Sequence, residues 1–343
     1  MTETAKKTIL VTGGAGFIGS IGSHICAELV AEGYDVIIVD NFINSKESVI
    51  ERLEKITGKR IPFYKVDIRD REALEKIFGE HAIEAVIHCA GLKSVGESVK
   101  DPLLYYDNNV YGSVVLLQVM AKHNVKKIVF SSSACVYGTE ASVPYTETSS
   151  IKPVNPYGKS KLFVEEILRD LASSDPDWRV ALLRYFNPIG AHSSGLIGED
   201  PNGTPNNLLP YISQVATGLK PELLVFGNDY ETPDGTGVRD YIHVVDLALG
   251  HTKALAWLDE NTGVLTANLG TGKGVSVLEL IEAFSRASGR PVPYQFVPRR
   301  AGDIASYYAD ISYAKKELGW HATHTIDEAC EDVWRWLSSQ KSY

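Results

Sequence analysis

Short apolar runs alternate with amphipathic stretches along most of this chain. Thr8-Ile9-Leu10-Val11-Thr12 reads as a strand buried on both faces, and Asp35 to Val39 reads the same way, with Asp40 closing it. Ser45 to Thr57 predicts a helix and Ile61 to Val66 a strand. Arg71 to Phe78 predicts a helix that keeps Ala73, Leu74, Ile77 and Phe78 on one face. Ala85 to His88 is a fourth strand. Asp101-Pro102, a capping residue before a first-turn proline, opens a long helix reaching about His123. Ile128 to Ser131 and Val180 to Arg184 are the fifth and sixth strands, and Asn155-Pro156 opens a helix between them. Alternation of this kind predicts the α/β class, a doubly wound parallel sheet with helices on both faces and its crevice at the carboxyl ends of the strands.

From Asn187 to Pro210 the composition shifts toward Gly, Pro and Asn, which marks the entrance to a smaller C-terminal α/β domain. The division expected is residues 1–187, joined by part of 238–260, and residues 188–343. Gly270-Thr271-Gly272-Lys273-Gly274 lacks the spacing and trailing hydroxyl of a P-loop. It reads as a turn before a helix capped by Ser276 with Glu279, a box that Thr325 and Glu328 repeat before the last helix.

Composition narrows the function classes. The chain has 343 residues, 44% hydrophobic and 22% charged, as in an ordinary globular protein. A formal net charge of -9 argues against nucleic acid or an anionic membrane as partner. No apolar run is long enough to span a bilayer, and Met1 to Lys7 is too polar for a signal peptide. Cys26, Cys89, Cys135 and Cys330 are scattered, and the histidines lack ligand spacing, so neither a disulfide framework nor a metal is expected. A cytoplasmic enzyme with reduced thiols is the plain expectation.

Three local patterns carry chemistry. Gly13-Gly14-Ala15-Gly16-Phe17-Ile18-Gly19 follows the first strand and precedes a helix, where glycines let a pyrophosphate approach backbone N–H groups. Asp40, ending strand two, suits adenosine ribose hydroxyls and repels a 2′-phosphate, which favours NAD over NADP. In Asn155-Pro156-Tyr157-Gly158-Lys159-Ser160-Lys161, helical spacing puts Tyr157 and Lys161 on one face. A free tyrosine titrates near about 10, and a neighbouring ammonium is expected to lower that value so the phenolate can take a hydroxyl proton. Tyr and Lys four apart also occur on ordinary surface helices. The glycine turn and Ser131-Ser132-Ser133 at the end of strand five favour the chemical reading.

Together these patterns resemble the extended short-chain dehydrogenase/reductase superfamily. His88 to Ser98, Arg184-Tyr185-Phe186-Asn187-Pro188, Pro205-Asn206-Asn207-Leu208 and Gly237 to Val244 are similar to the UDP-galactose 4-epimerase family within it, in order from Thr8 to Leu337. The resemblance implies a Rossmann-like NAD domain, a UDP-sugar domain and a homodimer through the helices after Asp101 and Asn155. It implies catalytic roles for Tyr157, Lys161 and Ser133. Cofactor contacts are implied at Gly13, Gly16, Phe17, Ile18, Gly19, Asp40, Asn41, Asn44, Ser45, Asp67, Ile68, Cys89, Ala90, Gly91, Lys93, Asn108, Ser131, Tyr157, Lys161 and Phe186. Substrate contacts are implied at Ser133, Tyr157, Asn187, Asn207, Leu208, Phe226, Arg239, Tyr241, Arg300, Asp303 and Tyr307. A UDP-hexose is the implied substrate, interconverted between galactose and glucose forms at C4.

Related dehydratases carry an Asp-Glu pair where this chain has Ala134-Cys135, so elimination of water is disfavoured. A UDP-pentose or UDP-uronate 4-epimerase would share the catalytic residues, although no extra cation for a uronate carboxylate is evident. A non-catalytic dinucleotide sensor would not need the Tyr/Lys pair. One departure from the family is plain: Ile18-Gly19-Ser20 is followed at once by Ile21-Gly22-Ser23, then His24. The expectation is that Gly13, Gly16 and Gly19 serve the cofactor and that irregularity collects between Gly19 and His24. A frame using Gly16, Gly19 and Gly22 is the alternative.

Overall fold

The computed structural model of the chain describes residues 6–16, 21–139, 142–200, 207–300 and 302–340. Its largest sheet holds β1 (Thr8–Thr12), β2 (Asp35–Asp40), β3 (Phe63–Lys65), β4 (Ile83–His88), β5 (Lys127–Ser133), β6 (Arg179–Tyr185) and a late strand, Gly263–Leu269. All are parallel, in the order β3-β2-β1-β4-β5-β6 and then the late strand. The order reverses between β1 and β4, which opens a crevice at the strands' carboxyl ends.

Apart from β3, the strands of the first half bury both faces, which is why their runs are continuously apolar. Ile9, Val11, Ile38, Ile87 and Val129 face α1 (Gly22–Ala31) and the helix Val244–Glu260. Leu10, Ile37, Val86, Ile128 and Phe130 face the helices Arg71–Glu80, Gly112–Lys122 and Pro156–Ser174. Burying each such side chain contributes about 1.5–3 kcal/mol.

Local differences from expectation have local causes. β3 is an edge strand of three residues, with Phe63 and Lys65 exposed. The next-door helix begins at Ser48, not Ser45, because the Ser45 hydroxyl donates to Asp40 Oδ1 (3.0 Å) and is held in the loop. Asp101 does cap its helix, accepting from the Leu104 amide (3.1 Å). That helix is not uniform: Tyr106–Tyr111 forms a π segment, and a short helix, Val95–Lys100, precedes the cap. A π bulge re-aims side chains and is frequent at functional sites; here it buries Asn108 and Asn109.

The late strand pairs with β6 along its length, so the segment rejoining the first half runs beyond residue 260. Ala314, Leu318 and Trp320 also pack in that core. A separate core holds Leu209, Ile212, Val225, Leu280, Phe284 and Trp336. Both capping boxes form, at Ser276/Glu279 and Thr325/Glu328. The glycine turn before the first is pinned by Asp240, which accepts from Thr271 N and Gly272 N.

Candidate active site

Asn155 caps the helix Pro156–Ser174 by accepting from the Gly158 amide (2.8 Å). Gly158 lets the helix press on β5's extension, since a Cβ there would sit 2.4 Å from the Cys135 carbonyl oxygen. The contact brings Tyr157 to Ser133, whose hydroxyl is hydrogen-bonded to the phenol and also accepts from the Cys135 amide (3.1 Å). Lys161 Nζ donates to the Ser131 carbonyl (2.8 Å) and lies over the Phe130 ring.

The electrostatics depart from expectation. Burial pushes the Tyr157 phenol well above its usual range, with only the Ser133 hydrogen bond opposing it. Burial also pulls the Lys161 ammonium down to about 8. The lysine's predicted lowering of the tyrosine is absent here, because desolvation outweighs it and the ammonium is engaged by a carbonyl. A buried phenol of this kind needs further positive charge nearby before it becomes a base.

A narrow cavity beside the glycine turn is lined by Gly13, Gly16, Asp40, Asn41, Asn44, Ser45, Ile68, Ala90, Gly91 and Asn108, ten of the predicted cofactor residues. Gly13 has φ +69°, and a Cβ there would lie 2.8 Å from the Ala90 amide nitrogen. Asp40 accepts from Ala15 N, Phe42 N and Ser45 Oγ, leaving acceptor capacity toward the cavity. Burial raises its carboxyl and these hydrogen bonds oppose the rise. The residues therefore fit a dinucleotide. Asp67, Cys89, Lys93, Ser131 and Phe186 do not line this cavity. Asp67 accepts from Asn41 (2.9 Å) and Arg69 (2.8 Å), and Cys89 meets Ser131 Oγ (3.2 Å). Phe17, Ile18 and Gly19 lie outside the described residues.

The duplicated triplet has a structural consequence. The third glycine of a dinucleotide fingerprint permits close helix packing, and Gly22 meets that requirement: a Cβ on it would sit 2.1 Å from the Gly13 carbonyl oxygen. Ser23 N also donates back to Gly16 O (3.1 Å). The second copy, adjoining His24, thus starts α1. Its entry residue, the fully buried Ile21, has φ 41°, a left-handed conformation that costs an L-residue about 1–2 kcal/mol. Deleting either copy gives the same shortened chain. We expect that chain to retain more bound dinucleotide and to melt higher, by about 2–4 °C per kcal/mol relieved. Lower melting or less retained dinucleotide would show the triplet to be supportive.

A second cavity, of about 600 Å³, gathers Asn187, Asn207, Leu208, Phe226, Arg239, Tyr241, Arg300 and Asp303, distant in sequence. Its size suits a small-molecule site. Asp303 brings the two arginines together, at 3.5 Å from Arg239 and 2.9 Å from Arg300. The Arg300 guanidinium also lies over Phe226 (4.7 Å). Two cations against one carboxylate leave net positive charge for phosphate oxygens. Tyr307 pairs in register with Arg239 of this cavity, its ring against Phe186 (5.2 Å) and Tyr145 (4.6 Å), its hydroxyl donating to the carbonyl of Ala134, the residue after Ser133.

Sequence reasoning missed several positioning residues. Asn109 pins the loop after β4 by accepting from Leu92 N (2.8 Å) and donating to Leu92 O (2.9 Å). Glu165, fully buried, receives Ser132 Oγ and a bidentate Arg184. Among the described residues, no helix is long and apolar enough to cross a membrane, and no cluster of metal-ligating side chains occurs.

The family described as GDP-mannose 4,6 dehydratase matches residues 10–333. The UDP-glucose 4-epimerase of Bacillus subtilis is 58% identical over 331 residues, 96% of this chain and 97% of its own. That of Dictyostelium discoideum is 57% identical over 98% of this chain and 97% of its own. Among solved structures, the Bifidobacterium longum UDP-glucose 4-epimerase in complex with NAD+ and UDP superposes with a TM-score of 0.93 at 56% identity, covering 98% of this chain and 99% of that one. The Stenotrophomonas maltophila enzyme, with bound NAD and formylated UDP-arabinopyranose, gives 0.95 at 54% identity, with the same coverage. Identity of 57–58% along nearly the whole length of both chains places the protein in the UDP-glucose 4-epimerase family of extended short-chain dehydrogenase/reductases.

Proposed function

We propose that this chain interconverts UDP-galactose and UDP-glucose with a resident NAD. The observation that carries the reading is the gathering of Asn187, Arg239, Arg300 and Asp303 in one cavity, joined through Tyr307 to the Tyr157–Ser133 pair. The cavity holds the uridine diphosphate, with Phe226 against the uracil and the arginines on the phosphates. The sugar then reaches past Tyr307 toward Tyr157. Tyr157 takes the C4 hydroxyl proton, and Ser133 shares it through its hydrogen bond to the phenol. When bound, NAD supplies the acceptor and donor of the C4 hydride, so a 4-keto sugar can turn its other face and be reduced with inverted configuration. Lys161 would hold the nicotinamide ribose. Ala134 and Cys135 offer no carboxyl group for dehydration.

Residues 1–187 with the helix Val244–Glu260 and the late strand Gly263–Leu269 hold the cofactor in this reading, and the rest of 188–343 the UDP-sugar. A cytoplasmic setting fits four free cysteines. The exposed Val99, Leu103, Tyr111, Val154 and Phe163 on or beside the helices after Asp101 and Asn155 form an apolar face suited to a homodimer, which the mass in solution checks.

The test uses protein as purified, without added NAD. Each UDP-hexose given separately should converge on the same mixture, and NAD should be released on denaturation. Absence of both would end the reading. The family resemblance makes Tyr307 a wall of the sugar site with too little room for an acetamido group, so UDP-N-acetylglucosamine should be turned over poorly. Tyr307→Cys should admit it, and comparable turnover of both sugars by the unaltered chain would refute the gate.

A further inference from the structure

Outside the residues so far given roles stands Glu199, in the loop that leads from the strand Asn187–Ile189 toward the helix Leu208–Ala216. Its side chain is only 12% exposed. One oxygen, Oε1, is shared by two groups: Asn207 Nδ2 donates to it at 3.1 Å, and Lys93 Nζ lies 4.0 Å away. Asn207 lines the large cavity, while Lys93 follows Leu92, which lines the cofactor cavity. A single buried carboxylate therefore meets an asparagine of the large cavity and the lysine that adjoins the cofactor cavity's Leu92. The neighbouring Asp200 is turned away, paired with Lys46 at 2.5 Å. Among the described residues, Lys93 is the charged group acting on Glu199.

We propose that Glu199 is the positioning residue joining the cofactor's lysine to the substrate's asparagine, and that it takes up a proton when a diphosphate binds on either side. The inference rests on the functional reading above. Electrostatics supply the coupling. A diphosphate drawing on Lys93 removes the cation that stabilises the carboxylate, and one arriving beside Asn207 adds negative charge nearby. Both changes favour the protonated form. Each ligand raises the proton affinity of Glu199 by a further step, so each strengthens the other's binding, reciprocally, and the NAD-bearing protein still takes up protons when the second diphosphate arrives. Burial, opposed by Lys93 and Asn207, already pushes the Glu199 carboxyl up to about 7, which puts the exchange in the neutral range.

The sign follows from linkage. At a pH where Glu199 is protonated with or without ligand, affinity is flat. Where only the bound form holds the proton, affinity falls as pH rises, by up to about tenfold per unit. The experiment is calorimetric titration of the NAD-bearing protein with UDP-glucose, whose diphosphate does not itself titrate near neutrality, in two buffers of different ionisation heat from pH 6 to 9. Proton uptake and a falling affinity are expected in the unaltered chain, and both should vanish in Glu199→Gln with UDP-glucose still bound. Lys93→Gln, a second variant that keeps the carboxyl, should move the same fall to higher pH. An identical pH profile in Glu199→Gln and the unaltered chain would overturn the proposal while leaving the function intact. No binding of UDP-glucose by the unaltered chain would overturn the functional reading, and this inference with it.

Discussion

Replacing Tyr157 with phenylalanine should lower kcat by about 10²–10⁴-fold, the contribution of a positioned acid–base group, while affinity for UDP stays near that of the unaltered chain. The separation is structural. Tyr157 does not line the cavity where the predicted uridine diphosphate residues meet. Its ring packs against Leu92, Tyr105 and Cys135, contacts that phenylalanine keeps. What goes is the phenolic oxygen and its hydrogen bond with Ser133. Loss of that bond should cost only about 0.5–1.5 kcal/mol of stability, so a folded, UDP-binding, slow enzyme is the expected product. Turnover measured beside UDP calorimetry checks it, and near-normal turnover would remove the tyrosine from the chemistry.

How much of this was readable from the residues depends on the distance over which each one acts. β1, β2, β4, β5 and β6 declare themselves because two-sided burial makes their apolar runs continuous. The Asn155 and Asp101 caps declare themselves because a cap acts three residues away. The π segment at Tyr106–Tyr111 did not, since its residues suit a helix and only the pocket beside Asn108 and Asn109 calls for the bulge. The sign of the Tyr157 shift was also hidden. Spacing put an ammonium on the same face, but it is burial, a property of the folded surroundings, that decides the balance. Gly22 was obscured by repetition: two identical triplets look alike until one is seen against Gly13. The large cavity's residues, from Asn187 to Asp303, meet across more than a hundred positions. Resemblance to a family named them, and no local pattern could. Glu199 belongs to no motif, and its two neighbours become neighbours only in the fold.

The largest stability effect is expected at Glu165. This carboxylate is fully buried on the catalytic helix and binds Arg184 through Nε to Oε1 at 2.9 Å and Nη2 to Oε2 at 2.5 Å. It also accepts from Ser132 Oγ at 2.5 Å. Arg184 lies on β6 and Ser132 on β5, so one side chain ties the helix of Tyr157 to the two strands beneath it. Glu165→Ala should cost about 3–5 kcal/mol, because it strands a buried guanidinium without its partner. Arg184 would keep the Glu147 carbonyl (3.2 Å), the Tyr137 hydroxyl (3.2 Å) and the Tyr137 ring, none of which carries full negative charge. Removing both charges is a different matter. In the double variant Glu165→Met with Arg184→Met, apolar side chains fill the space and no charge is left unpaired, so the double loss should be clearly smaller than the sum of the single ones. Urea midpoints of the two single variants and the double, each with its bound cofactor content measured, form the cycle. Additive losses would mean that the pair is not coupled and that Glu165 acts through Ser132 and Arg169 instead.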